Sequence, residues 1–119
     1  MKLPNYALAY VPEAKITRYL LNEEHPVGVS KAQFFLRFGF TRETWQIFAA
    51  ALVEHAAVNE IANTIVAEDG VRYAVEGIIR TPDGRNPYIR STWIIETGSE
   101  IPRLTSAYPV DKDILNETD

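Results

Sequence analysis

The spacing of apolar residues changes once along this chain, and that change constrains the fold more than any other feature. Up to about residue 57, apolar side chains recur every three or four residues, which is the helical period, whereas beyond residue 60 they alternate with polar ones, as along strands. A block of helices followed by a block of strands is typical of an α+β fold. We therefore predict about three N-terminal helices packed on one face of a four-stranded antiparallel meander sheet.

Local signals place the ends of three helices in the first half. The first is predicted over 12–22, because proline is favoured at the first helical position. The second is predicted over 30–39, with Ser30 as the cap of a capping box and a glycine as the terminator. The third is predicted over roughly 42–57, with Thr41 as its cap.

Turn-forming residues separate the predicted strands. The pair Asp69-Gly70 predicts a hairpin, because these residues tolerate positive φ. Residues 81–85 contain the Pro-Asp-Gly sequence of a second tight turn. The four strands predicted around these turns cover 61–67, 71–79, about 87–95 and 103–108.

Length and composition suit one domain, which we assign to residues 1–110, followed by an acidic, mobile tail over 111–119. The absence of cysteine excludes disulfides, thiolate metal sites and a cysteine nucleophile. No segment has the apolar run of a signal peptide or a membrane span, so we expect a cytoplasmic protein without a membrane partner. The net charge of −4 argues against a protein that coats nucleic acid, and nothing indicates a homo-oligomer.

The last two predicted strands have one apolar and one polar face. Trp93 and Leu104 should share the side that faces the helices, because both are large and apolar. A period of two then brings four polar side chains to the uncovered face: Arg90, Thr92, Arg103 and Thr105. Strict alternation also turns Ala107 outward and directs Ser106 and Tyr108 towards the helices, unless a bulge interrupts the strand.

Arginine and threonine on one face could hold a phosphodiester, because the planar guanidinium forms two parallel hydrogen bonds to phosphate. His25, in the loop before the second helix, could lean over the sheet edge as a general acid or base, and Lys31 could supply a second cation. His55 is explained by its place near a helix C-terminus, where the helix dipole favours positive charge. An ordinary exposed sheet face, where arginine and threonine are common cross-strand partners, explains the same pattern without a function.

Motifs for cofactors are absent from the sequence. The two histidines do not have the spacing of a zinc site, and there is no glycine-rich dinucleotide loop, Walker loop or nucleophile elbow. We therefore expect neither a metal nor a nucleotide cofactor.

Seven short blocks, spread over about residues 3–109, resemble a bacterial family known as domain of unknown function 6883. In this chain the blocks are YLLN at 19–22, HPVG at 25–28, KAQFF at 31–35, GF at 39–40, PDGR at 82–85, WII at 93–95 and PRLTSAYP at 102–109. The family name implies no activity.

A looser resemblance does imply one. Helices followed by a four-stranded antiparallel sheet, with a basic or histidine residue in the helical part and Thr-x-x-Tyr in the last strand, are similar to the barnase/EndoU/colicin/RelE group of ribonuclease toxins. Carried over to this chain, the resemblance implies six catalytic residues: His25 or Lys31 from the helical part, Arg90 and Arg103 as phosphate clamps, and Thr105 with Tyr108 from the last strand. Many such nucleases are strongly basic, and this chain departs from them in its net negative charge.

Two hypotheses about function stay open. The first is a small metal-independent endoribonuclease of toxin type, which cleaves RNA by attack of the 2′-hydroxyl and has RNA and an antitoxin as partners. The second is a non-enzymatic interaction module, such as an antitoxin, an immunity-like domain or an adaptor, which binds a protein through its aromatic helices or an open sheet edge. Low net basicity and the scarcity of histidine favour the second hypothesis.

Overall fold

Within residues 1–110, which are the residues that the computed structural model describes, a meander of four antiparallel strands follows three helices. The tail predicted for 111–119 lies outside the described residues. The elements are a 3₁₀ turn (Tyr6–Leu8), α1 (Glu13–Lys15) continuing as a π-helical segment (Ile16–Leu20), α2 (Val29–Arg37), α3 (Trp45–Val58), β1 (Glu60–Ala67), β2 (Gly70–Ile78), β3 (Tyr88–Glu96) and β4 (Arg103–Pro109). The strands pair in the order β1-β2-β3-β4. The predicted α+β fold is therefore confirmed.

The first helix is shorter than predicted and changes its hydrogen-bonding pattern. Pro12 has an extended ψ of 135° and precedes the helix rather than beginning it. After one α-helical turn the backbone becomes π-helical, and the Leu21 N–H donates to the carbonyl oxygen of Ile16 at 2.8 Å. Such π-helical turns occur frequently at functional sites. This one carries Tyr19.

Both predicted helix caps are wrong, whereas the predicted terminator is confirmed. α2 begins one residue before Ser30, which therefore lies inside the first turn, and no side chain caps this helix. α3 begins at Trp45, because the Thr41 hydroxyl accepts the N–H of Thr44 at 3.2 Å and holds the preceding residues in a turn. Gly39 follows α2 with a φ of 100°, as a glycine terminator requires.

The core lies between the helices and one face of the sheet. Its largest fully buried side chains come from both layers and include Phe35, Phe48, Trp93 and Leu104. The helices of residues 1–110 do not cover the opposite face of the sheet, and we call it the open face. Among residues 1–110 no helix is long and apolar enough to cross a bilayer.

A β-bulge interrupts the alternation of β4. Thr92 of β3 pairs with Ser106, whereas the next residue, Trp93, pairs with Leu104. Thr105 is therefore an extra residue on β4, and one strand carries two residues where the other carries one. The pairing of Trp93 with Leu104 confirms that these two share the core side.

The bulge reverses the sides on which the residues after it lie. Ala107, predicted to face outward, is fully buried, and Tyr108, predicted to face the helices, lies opposite Arg90 on the open face. Both predictions assumed strict alternation, and both are wrong for that reason. The bulge places Thr105 and Tyr108 on the same face, although strict alternation separates them.

Candidate functional site

A line of polar side chains runs from the helices onto the open face at the β4 edge of the sheet. Six residues form it, and we call them the edge cluster: Tyr19, His25, Lys31, Arg90, Ser106 and Tyr108. Neighbouring members are joined by a hydrogen bond or a ring contact. Both halves of the chain therefore contribute to one site.

Lys31 occupies the middle of the edge cluster. Its Nζ donates to the Tyr19 hydroxyl oxygen and, at 3.3 Å, to Ser106 Oγ. The ammonium also lies 4.7 Å from the ring centroid of Tyr19 and 5.7 Å from that of Tyr108, within the range of cation–π attraction. No carboxylate oxygen of residues 1–110 lies within 4.0 Å of this ammonium. Its charge can therefore act on an anion that enters the site.

The Tyr19 hydroxyl is more acidic than an ordinary tyrosine. Partial burial acts to raise its pKa, but hydrogen bonds from Lys31 and Ser106 and the positive charges of Lys31 and Lys15 outweigh this effect and lower the pKa of Tyr19. A glycine is needed beside it, because a Cβ on Gly28 would lie 2.8 Å from the tyrosine ring. Tyr19 is thus a candidate for proton transfer near the lysine.

His25 is fixed by the backbone of its own loop. The N–H groups of Val27 and Gly28 both donate to its Nδ1 at 3.0 Å. Because Nδ1 accepts, the neutral ring carries its proton on Nε2. The ring packs edge-on against Tyr19, with centroids 5.0 Å apart and planes at 73°. His25 can therefore donate a hydrogen bond from Nε2.

Arg90 connects the edge cluster to the open face. Its Nη1 donates to the Tyr108 hydroxyl at 3.3 Å, while Nε at 2.7 Å and Nη2 both donate to Oε2 of Glu76. The hydrogen bond to Tyr108 and the ion pair with Glu76 raise the pKa of Arg90, so the guanidinium keeps its charge. An anion bound here has to share this guanidinium with Glu76.

The predicted arginine and threonine face is divided. Thr92 and Thr105 are in contact, with their hydroxyl oxygens 2.7 Å apart. Arg103 lies four residues along the sheet from Arg90, about 13 Å at the usual rise of a strand. There its Nε and Nη2 donate to Glu96 Oε1 at 3.1 and 2.9 Å. Arg103 is therefore outside the edge cluster.

His55 belongs to a buried polar chain in the core. Its Nε2 lies 3.1 Å from the Gly77 carbonyl oxygen and its Nδ1 lies 2.9 Å from Ser91 Oγ, which also accepts the Trp93 indole N–H at 2.9 Å. A carbonyl can only accept, so Nε2 donates and Nδ1 accepts from the serine. Burial lowers the pKa of His55 despite its backbone hydrogen bonds. Burial therefore opposes the positive charge on which the predicted charge–dipole interaction depends.

Five of the six predicted catalytic residues lie in or next to the edge cluster, since Thr105 lines the same cleft as Arg90 and Tyr108. Arg103 is the exception. Sequence reasoning missed Tyr19, Ser106 and Glu76. Two of them could have been found: Tyr19 because it opens the YLLN block, and Glu76 because it lies on the strand beside Arg90 as its cross-strand partner.

Comparisons with known proteins agree with this fold. A chain of the contact-dependent growth inhibition toxin–immunity protein complex from Klebsiella pneumoniae 342 is similar in structure, with a TM-score of 0.66 and 16% sequence identity over 84% of this chain and 98% of that chain. Similarity at that identity shows a shared fold alone. No curated protein matches the chain in sequence. The family model described as Domain of unknown function (DUF6883) matches residues 2–111, and the chain belongs to this family.

Proposed function

We propose that this chain is a metal-independent endoribonuclease of toxin type that acts through the edge cluster. The observation that carries the proposal is the Lys31 ammonium, held by Tyr19 and Ser106, with a second cation, Arg90, on the other side of Tyr108. Two fixed cations beside an acidic hydroxyl suit a phosphodiester that develops charge during cleavage. The fold shared with a chain of a toxin–immunity complex is compatible by analogy with the toxin class and with the immunity-like alternative.

The proposed reaction is an internal displacement at phosphorus. The ribose 2′-oxygen forms a bond to the adjacent phosphorus while the bond from phosphorus to the 5′-oxygen of the next nucleotide breaks. The products are a 2′,3′-cyclic phosphate and a 5′-hydroxyl end. One proton leaves the attacking oxygen and one reaches the departing oxygen, and Lys31 and Arg90 stabilise the charge on the remaining phosphate oxygens.

We assign the two proton transfers to the hydrogen-bonded pair of Tyr19 and Lys31. Tyr19, whose pKa is lowered by Lys31 and Ser106, accepts the proton of the 2′-hydroxyl when its oxygen is in the ionised form, and the Lys31 ammonium donates a proton to the departing oxygen. The Tyr19 hydroxyl then passes its proton to the neutral lysine along their hydrogen bond, which restores the starting state. His25, which the sequence offers as a base, instead donates a hydrogen bond from Nε2, because its Nδ1 is engaged by backbone N–H groups.

The test is RNA cleavage by matched lysine variants. Lys31→Met removes the charge and keeps an unbranched apolar chain, whereas Lys2→Met makes the same change at a lysine that lies near Glu60. Wild type and Lys2→Met should stop growth on induction and cleave purified RNA in the presence of a chelator. Lys31→Met should lose about 100-fold or more in rate, the usual contribution of a positioned acid or base. Intact RNA after incubation with folded wild-type protein would refute the proposal.

A second function, as a non-enzymatic partner of another protein, is favoured by one observation. The outer edge of β1 pairs with no other strand of residues 1–110, and residues 61–67 contain no charge, although sheet edges usually carry charges that prevent pairing. Affinity capture would support this function if a stoichiometric partner bound the wild type and Lys31→Met but did not bind Ile65→Lys.

A further inference from the structure

A groove crosses the open face beside the edge cluster, perpendicular to the strands. Each strand contributes one short side chain to its floor: Asn63, Ala74, Thr92 and Thr105. The first three lie in cross-strand register, and the hydroxyl oxygen of the bulge residue Thr105 lies 2.7 Å from that of Thr92. The cleft over this floor has a volume of about 320 Å³. Three strand spacings of about 4.8 Å give the groove a length of about 14 Å.

Longer side chains stand on both sides of this floor. Ile65 and Arg72 are cross-strand partners on one side. On the other side, Arg90 and Tyr108 are partners that also belong to the edge cluster. The groove therefore has a cation on each side and begins at the residues that we assign to the scissile phosphate.

The bulge in β4 shapes the end of the groove that adjoins the edge cluster. Without the extra residue Thr105, Tyr108 would turn towards the core, and the groove would lose both the Tyr108 ring and its connection to Lys31. With it, the Thr92 and Thr105 hydroxyls form the floor at this end. Hydroxyl and amide groups on the floor can form hydrogen bonds with the edges of bases.

We propose that this groove binds the single-stranded RNA that continues from the scissile phosphate, with the chain running across the strands from Tyr108 to Ile65. This inference rests on the proposed function. Binding of a single strand uses cations along its phosphates and aromatic side chains on which its bases stack. Arg72 and Arg90 supply the cations, each shared with a carboxylate, Asp69 and Glu76 respectively. Tyr108 supplies an aromatic ring, and Ile65 adds an apolar contact.

Two adjacent residues of β1 provide a matched test. Ile65 lies on the open face and is 54% exposed, whereas Val66 lies on the opposite face and is 77% exposed. Both can be changed to aspartate with the same change in net charge. The probe is a tetraribonucleotide with 2′-O-methyl groups, which removes the attacking hydroxyl, and the readout is the Kd from fluorescence anisotropy.

We expect Ile65→Asp to raise the Kd of this probe about five-fold, the effect of one like charge in a solvated site, and Ile65→Lys to lower it by a similar factor. Val66→Asp should leave the Kd unchanged. Equal effects of the two aspartate variants, or no binding of the probe by the wild type, would overturn the groove as the RNA site.

A dinucleotide substrate separates this inference from the proposed function. Its single phosphodiester needs the edge cluster but does not reach β1, so its cleavage by the wild type tests the reaction without the groove. Tetranucleotide binding that distinguishes the two aspartate variants, without any cleavage of the dinucleotide, would overturn the proposed reaction and support the groove. Cleavage of the dinucleotide, with equal effects of both aspartate variants on tetranucleotide binding, would support the proposed reaction and overturn the groove.

Discussion

Lowering the pH below about 6.5 should destabilise this protein through His55. The ring is 1% exposed, and its two nitrogens are engaged by Ser91 and the carbonyl group of Gly77. Protonation would place a second N–H against a serine oxygen that already accepts the indole N–H of Trp93. Burial therefore lowers the pKa of His55 in the folded protein from its ordinary value of 6.5.

The sign and size of the effect follow from proton linkage. Below pH 6.5 the unfolded chain binds a proton at His55 that the folded protein excludes, so the free energy of unfolding falls as the pH falls from the unfolded pKa towards the lower, folded pKa. One group contributes at most about 1.4 kcal/mol for each pH unit in this window. Above pH 6.5 its full stabilising contribution is present.

Urea denaturation of wild type and His55→Gln at pH 7.5, 6.5 and 5.5 measures this effect. Glutamine can still donate to the Gly77 carbonyl, but it does not titrate. At pH 7.5 the variant should be less stable by about 1–3 kcal/mol, the cost of an unsatisfied buried group. The difference should shrink towards pH 5.5, because only the wild type loses stability through this residue. Carboxylates titrate in both proteins, so a constant difference at all three pH values would contradict a lowered pKa of His55 in the folded protein.

Three further outcomes are expected. Tyr19→Phe should lower the rate of RNA cleavage about 100-fold while leaving the far-ultraviolet circular dichroism unchanged, because only the hydroxyl is removed; an unchanged rate would contradict the assigned proton transfer. Gly28→Ala should lower the rate of RNA cleavage about ten-fold, because its Cβ would lie 2.8 Å from the Tyr19 ring. A shift of less than ten degrees in Tm would separate this effect from unfolding. Glu76→Gln should lower the KM for RNA several-fold by releasing Arg90 from its ion pair, and a higher KM would show that Glu76 chiefly positions this arginine.

The order of the elements could be predicted because it depends on the period of apolar residues, which the sequence displays directly. The core side of Trp93 and Leu104 and the turn at Gly70 were predictable for the same reason, since large apolar side chains and Asp-Gly pairs have few alternatives. The ends of the helices were harder to predict. Ser30 and Thr41 have the chemistry of caps, but local hydrogen bonds of the turns decided where the helices begin.

The candidate site was only partly predictable. The alternation rule identifies Arg90, but a bulge depends on how β4 fits its neighbour, and a single sequence gives no sign of the extra residue at Thr105. Tyr19 was missed because apolar spacing assigns it to the helix stripe, while a π-helical turn and Gly28 bring its hydroxyl to Lys31. Arg103 was included because it shares a face with Arg90. A shared face does not imply a shared site when two residues lie far apart along the strands.

The chemical identity of the RNA ends distinguishes the proposed displacement at phosphorus from other routes of cleavage. Purified wild-type protein should be incubated with RNA in the presence of a chelator, and the termini of the fragments should be determined with enzymes that act on specific end groups. We expect 2′,3′-cyclic phosphate and 5′-hydroxyl ends from the wild type, and neither from Lys31→Met. Intact RNA, or fragments with 3′-hydroxyl and 5′-phosphate ends, would contradict it.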